Sequence, residues 1–152
     1  PEGAAAYREN AAAFRRELAD LQQWAQAQFD ALPVASEQRV LITSEEAFHY
    51  FAAAFGLTHH GIWPINAHES GTPQQIVRIV ELIRTLEVPA LFIETSVDPR
   101  PMEQVAAETG VPIGERLLTD SLSEIGRPGD TYIGMIETNV ERIVAGFGAA
   151  LE

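Results

Sequence analysis

The sequence predicts an α/β fold: a parallel sheet of about four strands with helices on both faces, preceded by one long helix. Three observations carry this reading. Short β-rich runs alternate with longer segments of helical periodicity, threonine-proline and glycine signals mark where those helices start and stop, and residues 4–32 carry one uninterrupted helical stripe.

That stripe comes first. Tyr7, Ala11, Phe14, Leu18, Leu21, Ala25, Phe29 and Leu32 recur at spacings of three and four, as one helical face demands. The helix would be roughly 40 Å long, more than one sheet face requires, and Pro33 is expected to end it. A strand follows over 39–43, a helix over 45–55 closed by Gly56, and a second strand over 58–65. Thr72 and Pro73 suit the cap and first turn of a helix reaching residue 86. A third strand is predicted over 90–93, a helix over 101–109 closed by Gly110, and a fourth strand over 114–118. The loop 120–129 leads to a last helix over 131–147, for which Asp130 is the expected cap.

A length of 152 residues with 46% hydrophobic content is one domain's worth of chain with a real core, which excludes disorder. Ten arginines and no lysine stand against 22 acidic residues, a net charge of −12 that repels phosphate backbones and anionic lipid surfaces. Nucleic acid is therefore excluded as a partner, and a cation is electrostatically comfortable. The absence of cysteine removes disulfides, thiolate catalysis and cysteine zinc sites; the absence of lysine removes Schiff-base chemistry. No stretch approaches the roughly 20 apolar residues of a membrane span, so no direct membrane insertion of this segment is expected. The start at Pro1-Glu2-Gly3 has neither an initiator methionine nor a signal-peptide pattern, and reads as a fragment or processed chain whose upstream piece holds part of any site.

In open parallel sheets ligands gather beyond the carboxyl ends of the strands. There the sequence supplies Thr43-Ser44-Glu45, Asn66, Glu94-Thr95-Ser96 and Thr119-Asp120-Ser121, so three of four strand ends bring a carboxylate. Such carboxylates can share a proton for acid/base work or hold a hard divalent cation. Alternatively, Ser44 and Asp120 are ordinary cap or turn residues. No Gly-rich phosphate loop follows the first strand and no G-x-S-x-G elbow is present. Binding is thereby favoured over catalysis; the alternative is a small metal-dependent or acid/base enzyme using Glu45 and Asp120. His49, His59, His60 and His68 form no recognised metal motif. Glu45 and His49, four apart on a predicted helix, could chelate an ion from one face, although Glu45 at a helix start also serves the helix dipole. His59 and His60 alternate across a strand and cannot readily share an ion.

Several segments together resemble the carboxyl-terminal lobe of the cluster A-I solute-binding proteins, which serve ABC importers of manganese, zinc or iron. They are Leu41-Ile-Thr-Ser-Glu-Glu-Ala-Phe48, Gly61-Ile-Trp-Pro-Ile-Asn66, Gly71-Thr-Pro-Gln-Gln75, Leu91-Phe-Ile-Glu-Thr-Ser-Val-Asp-Pro-Arg-Pro-Met102, Thr119-Asp-Ser121 and Pro128-Gly-Asp-Thr-Tyr132. The resemblance implies no catalysis, an extracytoplasmic location in the periplasm or on a lipid anchor, an ABC permease as partner, and two lobes joined by a long helix. Residues 1–33 would be that helix and 34–152 the carboxyl-terminal lobe, with the amino-terminal lobe absent. It further implies a metal in the interlobe cleft, held by two histidines of the missing lobe together with Glu45 and Asp120. A carboxylate rather than histidine at position 45 is the manganese- and iron-type pattern, and it hardens the site toward Mn²⁺, with Zn²⁺ and Fe²⁺ as alternatives. Ser44, Glu94, Arg100 and Ser121 are expected to orient the ligands, with Glu94 and Arg100 paired. An adhesin-like surface role is compatible with all of this.

Overall fold

The chain is described by a computed structural model that covers residues 2–32, 35, 38–67 and 71–149. Helix α1 runs Ala4–Asp30 as the stripe predicts, but its face is used unevenly. Leu21, Ala25, Phe29 and the following Leu32 are buried, whereas Tyr7 and Phe14 are exposed, at 74% and 44%. Pro33 lies outside the described residues.

Strand β1 (Val40–Glu45) pairs in parallel with β2 (Thr58–Trp63), with Val40 opposite Thr58 and Glu45 opposite Trp63. The third and fourth predicted strands join the same sheet through single parallel bridges: Ile42 with Leu91, Leu91 with Ile113, and Glu94 with Leu117. Backbone bonds stitch them in, including Phe92 N–H to the Ile42 carbonyl (2.9 Å) and Leu117 N–H to the Ile93 carbonyl (2.8 Å). The order across the sheet is therefore β2, β1, the 90–94 segment and the 113–117 segment.

Strand alternation sorts the core into two layers. Leu41, Ala90, Phe92 and Leu117 face α1, α2 (His49–Phe55) and α5 (Tyr132–Ala149), where Phe29, Phe55, Val140, Ile143 and Phe147 complete one cluster. Val40, Ile42, Ile62, Leu91 and Ile93 face α3 (Pro73–Thr85) and α4 (Arg100–Thr109), packing on Ile76, Ile79, Ile83, Met102 and Val105. Helices thus cover both faces, as predicted. Helix α3 opens on a capping box: Thr72 Oγ1 accepts from Gln75 N–H, the Gln75 side chain accepts from Thr72 N–H, and Pro73 sits in the first turn.

Three local expectations are corrected. The helix expected from residue 45 begins at His49, because Glu45 stays in the sheet: Glu46 N–H donates to the Trp63 carbonyl at 2.9 Å and prolongs the ladder. Strand β2 stops at Trp63, since Pro64 has no N–H to offer and the chain turns through Asn66 at φ 57°. The cap of α5 is Thr131, whose Oγ1 accepts from Gly134 N–H at 3.0 Å; Asp130 instead accepts from Gly126 N–H at 2.8 Å and closes the preceding turn.

Candidate metal centre

Because the sheet is parallel, all four carboxyl ends lie along one edge, and Glu45, Asn66, Glu94 and Asp120 follow those ends. Glu45 and Asp120 belong to the rims of β1 and the fourth segment, and they flank the third segment, which carries Glu94.

Glu45 is fixed at both main chain and side chain. Glu94 is only 1% exposed, and its two carboxylate oxygens accept from Ser44 N–H at 3.1 Å and Glu45 N–H at 2.9 Å. A buried carboxylate needs such donors to remain charged. Burial pushes the Glu94 carboxyl above its ordinary pKa, opposed by the backbone amides of Glu45, of Glu94 itself and of Ser44. The half-buried Glu45 carboxylate accepts from Asn66 N–H at 2.8 Å. Asn66 can aim that amide because it adopts the left-handed region, which asparagine tolerates better than most residues. Gly61 makes room for the rim: a Cβ there would lie 2.5 Å from Glu46 N and 2.8 Å from the Glu45 carbonyl carbon.

Asp120 is held differently. Its side chain is exposed, while the backbone just before it is clamped from α5. Buried Asn139 accepts from Leu118 N–H at 2.8 Å through Oδ1 and donates to the Leu118 carbonyl at 2.7 Å through Nδ2. In effect its amide stands in for a missing strand neighbour. Ser96 and Thr119 hydroxyls meet at 3.1 Å and tie the third rim to the fourth.

The structure sets the sequence-predicted Glu45 and Asp120 on one edge; sequence reasoning missed Asn139, whose place in an ordinary helical run gives no signal of a fold-back onto Leu118. Among the expected supports, Ser44 acts through its amide and Glu94 is central, while Ser121 is exposed beside Asp120. The expected Glu94–Arg100 pair is not formed. Arg100 instead pairs with Asp98, two residues away on an exposed turn, and its guanidinium holds the Asp98 carboxyl at a pKa of about 2. Local geometry favours that pairing, and Glu94 is already committed to two amides. Nor do Glu45 and His49 share a helical face, because one ends a strand and the other begins a helix. The alternation of His59 and His60 is as expected, with His59 buried and His60 half-buried.

Among the described residues, no group of three or more His, Asp or Glu side chains is gathered to hold a metal ion. Carboxylates at two rims of one edge are oxygen donors of the kind a hard cation takes.

Comparison with known proteins follows the same line. The sequence model of the family described as zinc-uptake complex component A, periplasmic (ZnuA), matches residues 1–146. The chain is 42% identical over 140 residues to the metal ABC transporter substrate-binding lipoprotein FimA of Streptococcus parasanguinis, covering 92% of this chain and 45% of that protein. It is 40% identical over 146 residues to the manganese-binding lipoprotein MntA of Halalkalibacterium halodurans (96% and 48%), and 39% identical over 146 residues to the iron ABC transporter substrate-binding lipoprotein MtsA of Streptococcus pyogenes serotype M1 (96% and 46%). The periplasmic zinc-binding protein TroA of Treponema pallidum superposes with a TM-score of 0.89 at 26% identity, covering 97% of this chain and 54% of that one. A manganese-bound mutant of a periplasmic metal-binding protein from Candidatus Liberibacter asiaticus superposes at 0.87 with 27% identity, over 97% and 54%. The chain thus spans about half the length of the relatives it matches. These relatives are substrate-binding proteins, so the enzyme alternative is set aside, and their names divide among manganese, iron and zinc. By its sequence and its fold, this chain belongs to the ZnuA family of metal-binding substrate-binding proteins of ABC transporters.

Proposed function

We propose that the chain is the carboxyl-terminal lobe of an extracytoplasmic receptor, periplasmic or lipid-anchored, that captures a divalent transition metal and delivers it to an ABC permease. In this reading residues 1–33 form the linking helix and 34–152 the lobe. Glu45 and Asp120 supply two oxygen donors, and an amino-terminal lobe supplies the rest. Mn²⁺ is the first choice because two carboxylates favour a hard ion, with Fe²⁺ next and Zn²⁺ third.

The observation that carries this reading is the mooring of Glu45. Its amide rests on a buried carboxylate and its own Oε1 accepts from the Asn66 amide, so the carboxylate is held in place at the strand end. Such fixing of a donor is what a metal site requires of its surroundings. The relatives named for manganese and iron point in the same direction.

Metal competition on the two-lobed protein tests it. Glu45→His is expected to raise the preference for zinc over manganese, and Asp120→Ala to weaken both. Unchanged selectivity and affinity in the two variants would remove the assignment. The isolated 152-residue chain, with only two donors, is expected to bind Mn²⁺ weakly by calorimetry; submicromolar affinity would contradict the two-lobe reading.

A further inference from the structure

At the outer edge of the sheet, against α2, a pocket of about 200 Å³ is lined by His49, Ala52, Ala53, Leu57 and His59. His49 is the first residue of α2 and exposed; His59 is the second residue of β2 and 9% exposed. Their ring centroids are 6.3 Å apart with planes at 80°. The two alanines, on the turn of α2 that follows His49, leave the space between ring and helix open.

The hydrogen bonds settle which nitrogen of His59 carries the proton. Thr43 Oγ1 donates to the Glu45 carbonyl at 2.7 Å, so toward His59, also at 2.7 Å, that oxygen accepts. His59 Nε2 is therefore the protonated nitrogen and Nδ1 holds a bare lone pair. That lone pair is buried and has no hydrogen-bond partner, which is rare because an unsatisfied buried acceptor is costly. Burial, with the neighbouring His49 and His60, lowers the His59 pKa to about 4, so the ring stays neutral near neutral pH.

We infer that His49 and His59 form a second cation site, separate from the Glu45–Asp120 rim, that takes a borderline divalent ion of the zinc type. An orphaned imidazole nitrogen beside a second, exposed imidazole is a donor pair suited to Zn²⁺, Ni²⁺ or Cu²⁺ and poorly suited to Mn²⁺. His59 supplies the fixed donor, oriented by Thr43, and His49 swings over the pocket to close on the ion. Water completes the shell at the open side, and the chain's net charge of −12 favours any cation.

The test is a Zn²⁺ titration of the ¹⁵N-labelled 152-residue chain followed through the imidazole nitrogens. It is run on the wild type, on His49→Ala, and on the Glu45→Gln/Asp120→Asn double variant. In the metal-free protein the His59 proton is expected on Nε2. Zn²⁺ should shift His59 Nδ1 and one His49 nitrogen together, and should do so equally in the double variant, which separates this site from the rim. His49→Ala, an exposed replacement whose folding circular dichroism checks, should weaken the His59 response about tenfold or more. Rings that do not respond to Zn²⁺, a response lost in the double variant, or an undiminished response in His49→Ala would each overturn the assignment.

Discussion

The two candidate ligands are anchored in opposite ways. Glu45 is moored through its own atoms, with its amide on Glu94 and its carboxylate on Asn66. Asp120 is moored one step removed: Asn139 grips the backbone of Leu118, and the aspartate side chain stands free beyond it. One side chain of the rim is held by a bond of its own, and the other is exposed beyond a clamped backbone. The contrast teaches that one strand edge can fix one carboxylate directly and hold another only through its backbone.

The sharpest way to break the contrast is Asn139→Leu. It leaves a buried N–H and a buried carbonyl at Leu118 without partners, and is expected to lower stability by about 2–4 kcal/mol, read from urea unfolding. In the two-lobed protein the same change should weaken metal binding without altering the metal preference set by Glu45.

Next in size is a pH effect beneath the Glu45 side. His59 is neutral in the folded state down to a pKa of about 4, but in the unfolded chain it takes a proton near 6.5. Between those values the unfolded chain binds more protons, so stability falls as pH is lowered from 6.5 to 4. After discounting for residual solvent access the loss is about 2 kcal/mol. Unfolding midpoints across that range should show the slope in the wild type and a shallower one in His59→Gln, since burial lowers the His60 pKa as well.

Glu94→Gln sets an amide N–H₂ where two backbone N–H groups need acceptors, and should cost about 1–2 kcal/mol in the same unfolding assay. In the two-lobed protein it should also blur the preference between manganese and zinc, because Glu45 loses its footing. Asp98→Asn sharpens the comparison from the other side. Its partner Arg100 is the exposed first residue of α4, where solvent screens the pair, so neither the unfolding midpoint nor metal binding should change.

What was legible in the sequence was local. Gly56 and Gly110 close their helices in the left-handed conformation, Thr72 and Pro73 open α3, and alternation along 40–43 and 90–93 sorts two core layers. The edge bearing Glu45 and Asp120 followed from strand order alone. Contacts set by the assembled sheet were not legible. Glu45 looked like a helix start because nothing nearby in sequence announces a ladder with Trp63 or an amide bond to Glu94, 49 residues on. Asn139 resembled any polar helical residue, and its pairing with Leu118 spans 21 residues. Arg100 was assigned to a distant carboxylate when one two residues away was free to turn toward it.

The grip of Asn139 on Leu118 gives helix α5 a lever on the fourth rim. On one side that rim is laddered to the third segment, and beyond the ladder a single carboxamide on a helix grips it. A tilt of α5 would therefore be felt at Leu118, two residues before Asp120, through one side chain.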